Sequence, residues 1–149
     1  MSEKSMPNYD QDFYAWTMHN AQLLREGRLN EIDRTNIAEE LESMGKSQKR
    51  ALNSRLTVLL AHLLKWRYQA GARSPSWRNT IAIQRIELQE LLEENPSLRA
   101  KLPGELPAAY RKALLWAANG TQLDLHTFPT SCPFTAEQVL DENFWPDCG

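Results

Sequence analysis

Apolar side chains recur along most of this chain at spacings of three and four, the pattern of helices that each bury one stripe. The strongest run lies between Asn36 and Tyr68. There Leu52, Leu56, Leu59, Leu63 and Trp66 follow one another at 4-3-4-3 spacing, and Val58, Leu60 and Leu64 widen the stripe, so this half should be buried on most sides. Ahead of it, NIAEELESMGKSQKR passes from acid to base with few apolar positions and reads as a charged arm. At about 1.5 Å per residue a continuous helix over this stretch is about 50 Å long, more than a small domain needs. A bend or break is therefore expected at Gly45, a residue roughly 1 kcal/mol poorer than alanine in a helix interior, with Ser47 placed to restart the helix. The stretch is one long helix or two nearly collinear ones.

The same periodicity predicts the remaining elements. Asn8, with Gln11 in the reciprocal position, is a cap for a first helix in which Phe13, Trp16, Asn20, Leu23 and Leu24 recur until Gly27. A short connection follows, and Asp33 or Thr35 can cap the long helix. Ser74-Pro75 marks the start of a third helix running to about Glu94, with Trp77, Ile81, Leu88, Leu91 and Leu92 on its apolar face. Asn95-Pro96 ends it and opens a short helix, Ser97 to Leu102, after which Pro103-Gly104 reads as a turn. A further helix from Glu105 to Asn119 carries Leu106, Tyr110, Ala113, Leu114 and Ala117 and closes at Gly120. From Thr121 the period is lost, and two prolines predict an irregular strap anchored by Phe128 and Phe134. Thr135 and Gln138 form a capping pair for a last short helix, and Phe144 and Trp145 should tuck back.

Composition agrees with these elements. The chain holds 21 Leu and 15 Ala against 2 Val and 5 Ile, so helix formers abound and β-branched residues are scarce. The fold class is expected to be all-α, a bundle of about four main helices with short accessory ones and an irregular C-terminal strap, in a single domain over residues 1–149. The first residues lack the apolar run of a signal peptide, and the oiliest stretch, Leu56 to Leu64, is too short to span a bilayer. A cytoplasmic protein with no membrane role is expected, with Cys132 and Cys148 as free thiols.

Charge changes the picture more than its total of -2 suggests. From Lys46 to Arg85 there is no acid, while nine bases occur; the other 109 residues hold 8 bases and 19 acids. Trp66, Tyr68 and Trp77 are interleaved with these cations, a mixture suited to a single-stranded nucleic acid. Lys46, Lys49, Arg50, Lys65, Trp66, Arg67, Arg73, Trp77 and Arg78 are the residues such a site would use. The plainer reading has the basic segment neutralised by Glu39, Glu40 and Glu42 before it and by Glu87, Glu90, Glu93 and Glu94 after it.

Arg55 and His62 share one face beside the leucine stripe and would line a crevice. With Glu40 brought near by a packed helix pair, they would make a cluster capable of acid-base or ligand-binding work. The plainer reading is an arginine held by a carboxylate of a neighbouring helix and a histidine bonded to backbone. No metal site or cofactor is expected: none of His19, His62 and His126 follows a glutamate by three positions, and His126, Cys132 and Cys148 lack the paired spacing of zinc ligands. Neither a nucleophile elbow nor a glycine cradle for phosphate occurs.

Four stretches, YDQDFYAWTMHNAQLLREGRLNEID, NIAEELESMGKSQKRALNSRLTVLLAHLLKW, SPSWRNTI and CPFTAEQVL with NFWP, make the chain resemble a bacterial family, domain of unknown function family 29, over its whole length. The resemblance implies a small helical protein and carries no catalytic or binding role to any position. The expected function is a non-enzymatic binding or adaptor protein that presents a helical surface to a protein partner or to a second copy. The alternatives are nucleic-acid binding through residues 46–85 and an enzyme or ligand site around Glu40, Arg55 and His62.

Overall fold

The computed structural model describes residues 6–147. Its helices are α1 (Phe13–Arg25), α2 (Arg34–Tyr68), α3 (Pro75–Glu94), α4 (Leu102–Thr121) and the short α5 (Ala136–Leu140). Short 3₁₀ segments cover Ala70–Ala72, Pro96–Lys101 and Leu125–Thr127, and no strand occurs among the described residues. The protein is an all-α helical bundle, as its composition requires. Its contacts fall into two compact units, residues 1–46 and 47–149, and α2 contributes to both.

In the first unit α1 is capped by Asp12, whose carboxylate accepts from the Ala15 N–H at 3.1 Å. Asn8, the cap expected from sequence, instead accepts from the N–H groups of Asp10 and Gln11 in the turn before the helix. Gly27 ends α1 at φ 73°, with Arg28 N–H bonded to the Leu23 carbonyl and Gly27 N–H to that of Leu24. The buried face of α1 is Trp16, Asn20 and Leu23. The Trp16 indole donates to Asp33 Oδ2 at 2.8 Å, and Asn20 Oδ1 accepts from the Asp33 N–H at 2.8 Å. Asp33 also accepts from Asn36, which is why α2 begins at Arg34, ahead of the expected Asn36. The hydrogen bonds from Asn36 and then Trp16 hold its carboxyl below the usual range.

The break expected at Gly45 does not occur, and α2 is one helix of 35 residues. Residues 41–50 are exposed on every side, and a Cβ at Gly45 would meet nothing within 4 Å. No neighbour pushes the backbone aside, so an unbroken ladder of hydrogen bonds outweighs a glycine cost of about 1 kcal/mol.

The second unit is built on the other half of α2. Leu52, Leu56, Leu59, Leu60, Leu63 and Leu64 are fully buried and join one apolar cluster with Ile81, Leu88 and Leu92 of α3 and Leu102, Ala109 and Ala113 of α4. Each such leucine contributes about 2 kcal/mol by leaving water, which makes this stripe the main source of the unit's stability. Ser74 caps α3 through the Trp77 N–H at 3.2 Å, with Pro75 in the first turn.

The turn expected at Pro103-Gly104 is absent. Pro103 sits in the first turn of α4, where a missing N–H leaves no bond unmade, and the helix starts directly after the 3₁₀ segment. Nor does Gly120 end α4: the helix closes one residue later, with Gln122 left-handed at φ 60°. A Cβ at Gly120 would come 3.1 Å from Lys65 Nζ, so the missing side chain makes room for that lysine.

The strap follows its expected anchors. Phe128 and Phe134 are buried, the Tyr110 hydroxyl donates to the Pro129 carbonyl at 2.7 Å, and Thr135 and Gln138 cap α5 reciprocally. Phe144 packs edge-on against Phe134, and Trp145 lies 4.7 Å from Trp66 between ring centroids. Cys132 is a free thiol whose Sγ donates to the Phe134 carbonyl, and burial pushes its pKa up; Cys148 lies outside the described residues. None of the helices is long and apolar enough to cross a membrane, among the described residues.

Candidate functional site

The basic segment is disposed of in a way its neighbouring acids do not explain. Trp66 is 7% exposed, with the guanidinium of Arg73 4.7 Å from its ring centroid, that of Arg78 5.7 Å away and Trp145 beside it. Arg73 also donates to the Trp66 carbonyl at 2.8 Å and to the Pro146 carbonyl at 3.4 Å. Lys65 lies over the Trp77 ring at 5.5 Å and Arg67 over Tyr68 at 5.4 Å. Burial lowers the pKa of Lys65. Lys49 approaches Glu105 at 4.0 Å, while Lys46 and Arg50 are exposed on α2.

Of the acids expected to neutralise this segment, Glu87 alone is ion-paired with it among the described residues; its partner is Arg55. Aromatic rings and carbonyl oxygens take most of the remaining cations. Most of these rings, Trp66, Tyr68 and Trp77, belong to the basic segment itself, and only Trp145, over Arg85, is brought from a distant part of the chain. Glu90 and Glu93 form no ion pair among the described residues.

Glu40, Arg55 and His62 each have separate partners. Glu40 belongs to the first unit and accepts from the Tyr9 hydroxyl, a bond that pushes the phenol pKa up to about 12. Arg55 pairs with Glu87 of α3 and lines a shallow depression with Ala51, Ser54, Val58 and Gln84. His62 Nδ1 lies 2.9 Å from the Val58 carbonyl, which can only accept, so Nδ1 carries the proton. Burial holds this imidazole below its usual pKa and therefore neutral. No hydrogen bond or ion pair joins any two of the three, and no group of three His, Cys, Asp or Glu suited to a metal ion occurs among the described residues.

A concavity with a volume of about 590 Å³ lies elsewhere in the second unit, between α3 and the strap. Two stripes on α3 explain it. Ile81, Arg85, Leu88 and Leu92, at 4-3-4 spacing, face inward. Ala82, Ile86, Gln89 and Glu93, at the same spacing one residue on, form one wall of the groove, with Glu90 beside them. Leu140, Asp141, Glu142, Asn143 and Trp145 form the other wall. Ile86 is 57% exposed and Ile83, one turn before it, 51%.

Arg85 lies at the groove's floor, 3% exposed. Its Nε donates to the Val139 carbonyl at 2.8 Å and its Nη2 to that of Gln138 at 3.2 Å, so it caps the last turn of α5; Nη1 is buried with no partner. Burial lowers its pKa, and the nearby Asp141 carboxylate opposes the shift. Glu90, Glu93, Asp141 and Glu142 line or edge the groove, and none of them forms an ion pair among the described residues. The sequence signal for this site is Ile86, an isoleucine that falls off the buried period of α3.

The fold and this groove define an all-α protein with an open, apolar-walled and acid-edged cleft. The chain belongs to the family described as domain of unknown function DUF29, which matches residues 8–145. No curated protein and no solved structure matches it.

Proposed function

We propose that this protein is a cytoplasmic, non-enzymatic binding module that docks a protein partner in the groove between α3 and the strap. The observation that carries the reading is the groove itself: apolar side chains stand open at its wall, and the carboxylates around it form no ion pair among the described residues. Exposed apolar surface edged by polar groups is the usual composition of a docking site. The basic segment offers less, since Trp66 is buried and its neighbouring cations already lie on rings and carbonyls.

The test places a photo-crosslinking residue at Ile86 and, as a control, at Ala108, which is exposed on α4. In cells of the source organism, cross-linking from Ile86 should yield one discrete protein adduct that is absent from the Ala108 position. Equal adducts from both positions, or none from Ile86 in a protein that is folded by circular dichroism, overturn the reading.

A further inference from the structure

We infer that the groove accepts the C-terminal turn of a basic helix, an inference that rests on the docking reading above and supplies the chemistry of the partner. The first argument is charge. Glu90, Glu93, Asp141 and Glu142 meet at the groove, and Arg85, the one cation lining it among the described residues, is turned to the carbonyls of α5. The complementary occupant is a cation-bearing segment.

The second argument is the unpartnered Nη1 of Arg85. A buried donor on a charged group is costly to leave unmatched, and this one belongs to a side chain that lines the floor. The acceptors Arg85 already holds are main-chain carbonyls from the last turn of a helix, Gln138 and Val139. Another helix end offers acceptors of the same kind, because its final carbonyls have no partners within the helix. Helix C-termini are also where Lys and Arg are favoured by the macrodipole. One structural unit thus supplies carbonyls for the floor, cations for the carboxylates and an apolar face for Ile86 and Leu140.

Trp145 lies over the guanidinium, with Arg85 Cζ 5.7 Å from the ring centroid, so an oxygen that reaches Nη1 displaces this half-buried indole. Binding therefore has a local signature at Trp145.

The probe is a labelled synthetic helix of about four turns with leucine on one face and lysine in its last turn, amidated at its end. The controls carry glutamate in place of lysine, or lysine in the first turn. Titrated into the full chain, the probe should bind, weaken as salt is raised, lose about tenfold in affinity to the Glu90→Lys/Asp141→Lys variant, and shift the Trp145 indole and Ile86 methyl resonances. Both carboxylates are exposed; because Asp141 also accepts from the Asn143 N–H and lies near Arg85, a second variant is Glu90→Lys/Glu93→Lys. Its carboxylates are exposed and form no hydrogen bond or ion pair among the described residues, and it should lose affinity likewise. Absence of binding, equal binding of the glutamate peptide, indifference to the charge reversal, or resonance changes confined elsewhere would each overturn the inference. Equal affinity for the first-turn lysine peptide overturns the helix-end assignment. A partner cross-linked from Ile86 through an acidic or neutral segment sinks this inference and leaves the docking module standing.

Discussion

Arg85 and Val139 lie 54 residues apart in sequence, and the Arg85 Nε donates to the Val139 carbonyl at 2.8 Å. With the second bond to Gln138, this side chain ties the strap to α3 and ends α5 where a glycine cap would otherwise be wanted. Arg85→Met should therefore release the strap and lower the stability of the second unit by on the order of 2–3 kcal/mol. Arg85→Lys should recover little, since an ammonium cannot reproduce the forked pair. Denaturant titration gives the loss, and hydrogen exchange should show the amides of α5 deprotected first.

Asp33 connects three elements of the first unit, as acceptor for Trp16 and as cap for α2. Asp33→Ala should cost about 1–2 kcal/mol. A carboxyl whose folded pKa lies below its unfolded value contributes stability that is complete above the unfolded value and disappears as pH falls through the folded one. Followed by NMR, the Trp16 indole proton should therefore shift upfield on acidification, at a pH below the ordinary aspartate value of 3.8.

His62 gives the opposite kind of test, near neutrality. Its folded pKa is held below 6.5, chiefly by burial, with the Val58 bond opposing and Lys65 adding to the shift. The unfolded chain therefore takes up the proton first, so stability is intact above pH 6.5 and falls as pH drops below it. Thermal midpoints on either side of that pH should show the decline in the native chain and a smaller one in His62→Gln.

Gly45 occupies an exposed helical position with open space where a Cβ would stand. Gly45→Ala should stabilise α2 by about 1 kcal/mol and raise the helical circular dichroism signal. An unchanged or lower signal would mean that the helix is frayed at this point.

Much of the fold was legible. The stripe from Leu52 to Trp66, the Ser74-Pro75 start, the Thr135–Gln138 cap and the anchors Phe128 and Phe134 all depend on neighbours within a few residues, and each is found as expected. The misses share a cause. Gly45, Pro103-Gly104 and Gly120 are helix breakers by local propensity, which amounts to about 1 kcal/mol for glycine and is overridden when the surrounding turns are already committed to helix. Asn8 lost the cap to Asp12 because two residues of one chemical type stood in reach of one helix start.

The site was legible only in part. Arg55 and His62 stood out correctly as polar residues beside an apolar stripe, but Glu87 and Val58, the groups that satisfy them, follow from how α2 turns against α3 and from the pitch of α2 itself. The acid-free run was plain in the sequence, and so were the glutamates beyond it. That rings rather than those glutamates would cover the cations was decided by tertiary packing, which sets Trp145 on Trp66 and Arg85 under the strap. Periodicity determines which residues a helix buries, since the spacing of side chains is local. Which charges remain unanswered at the surface depends on partners brought from 50 or more residues away, and only the folded chain holds those together.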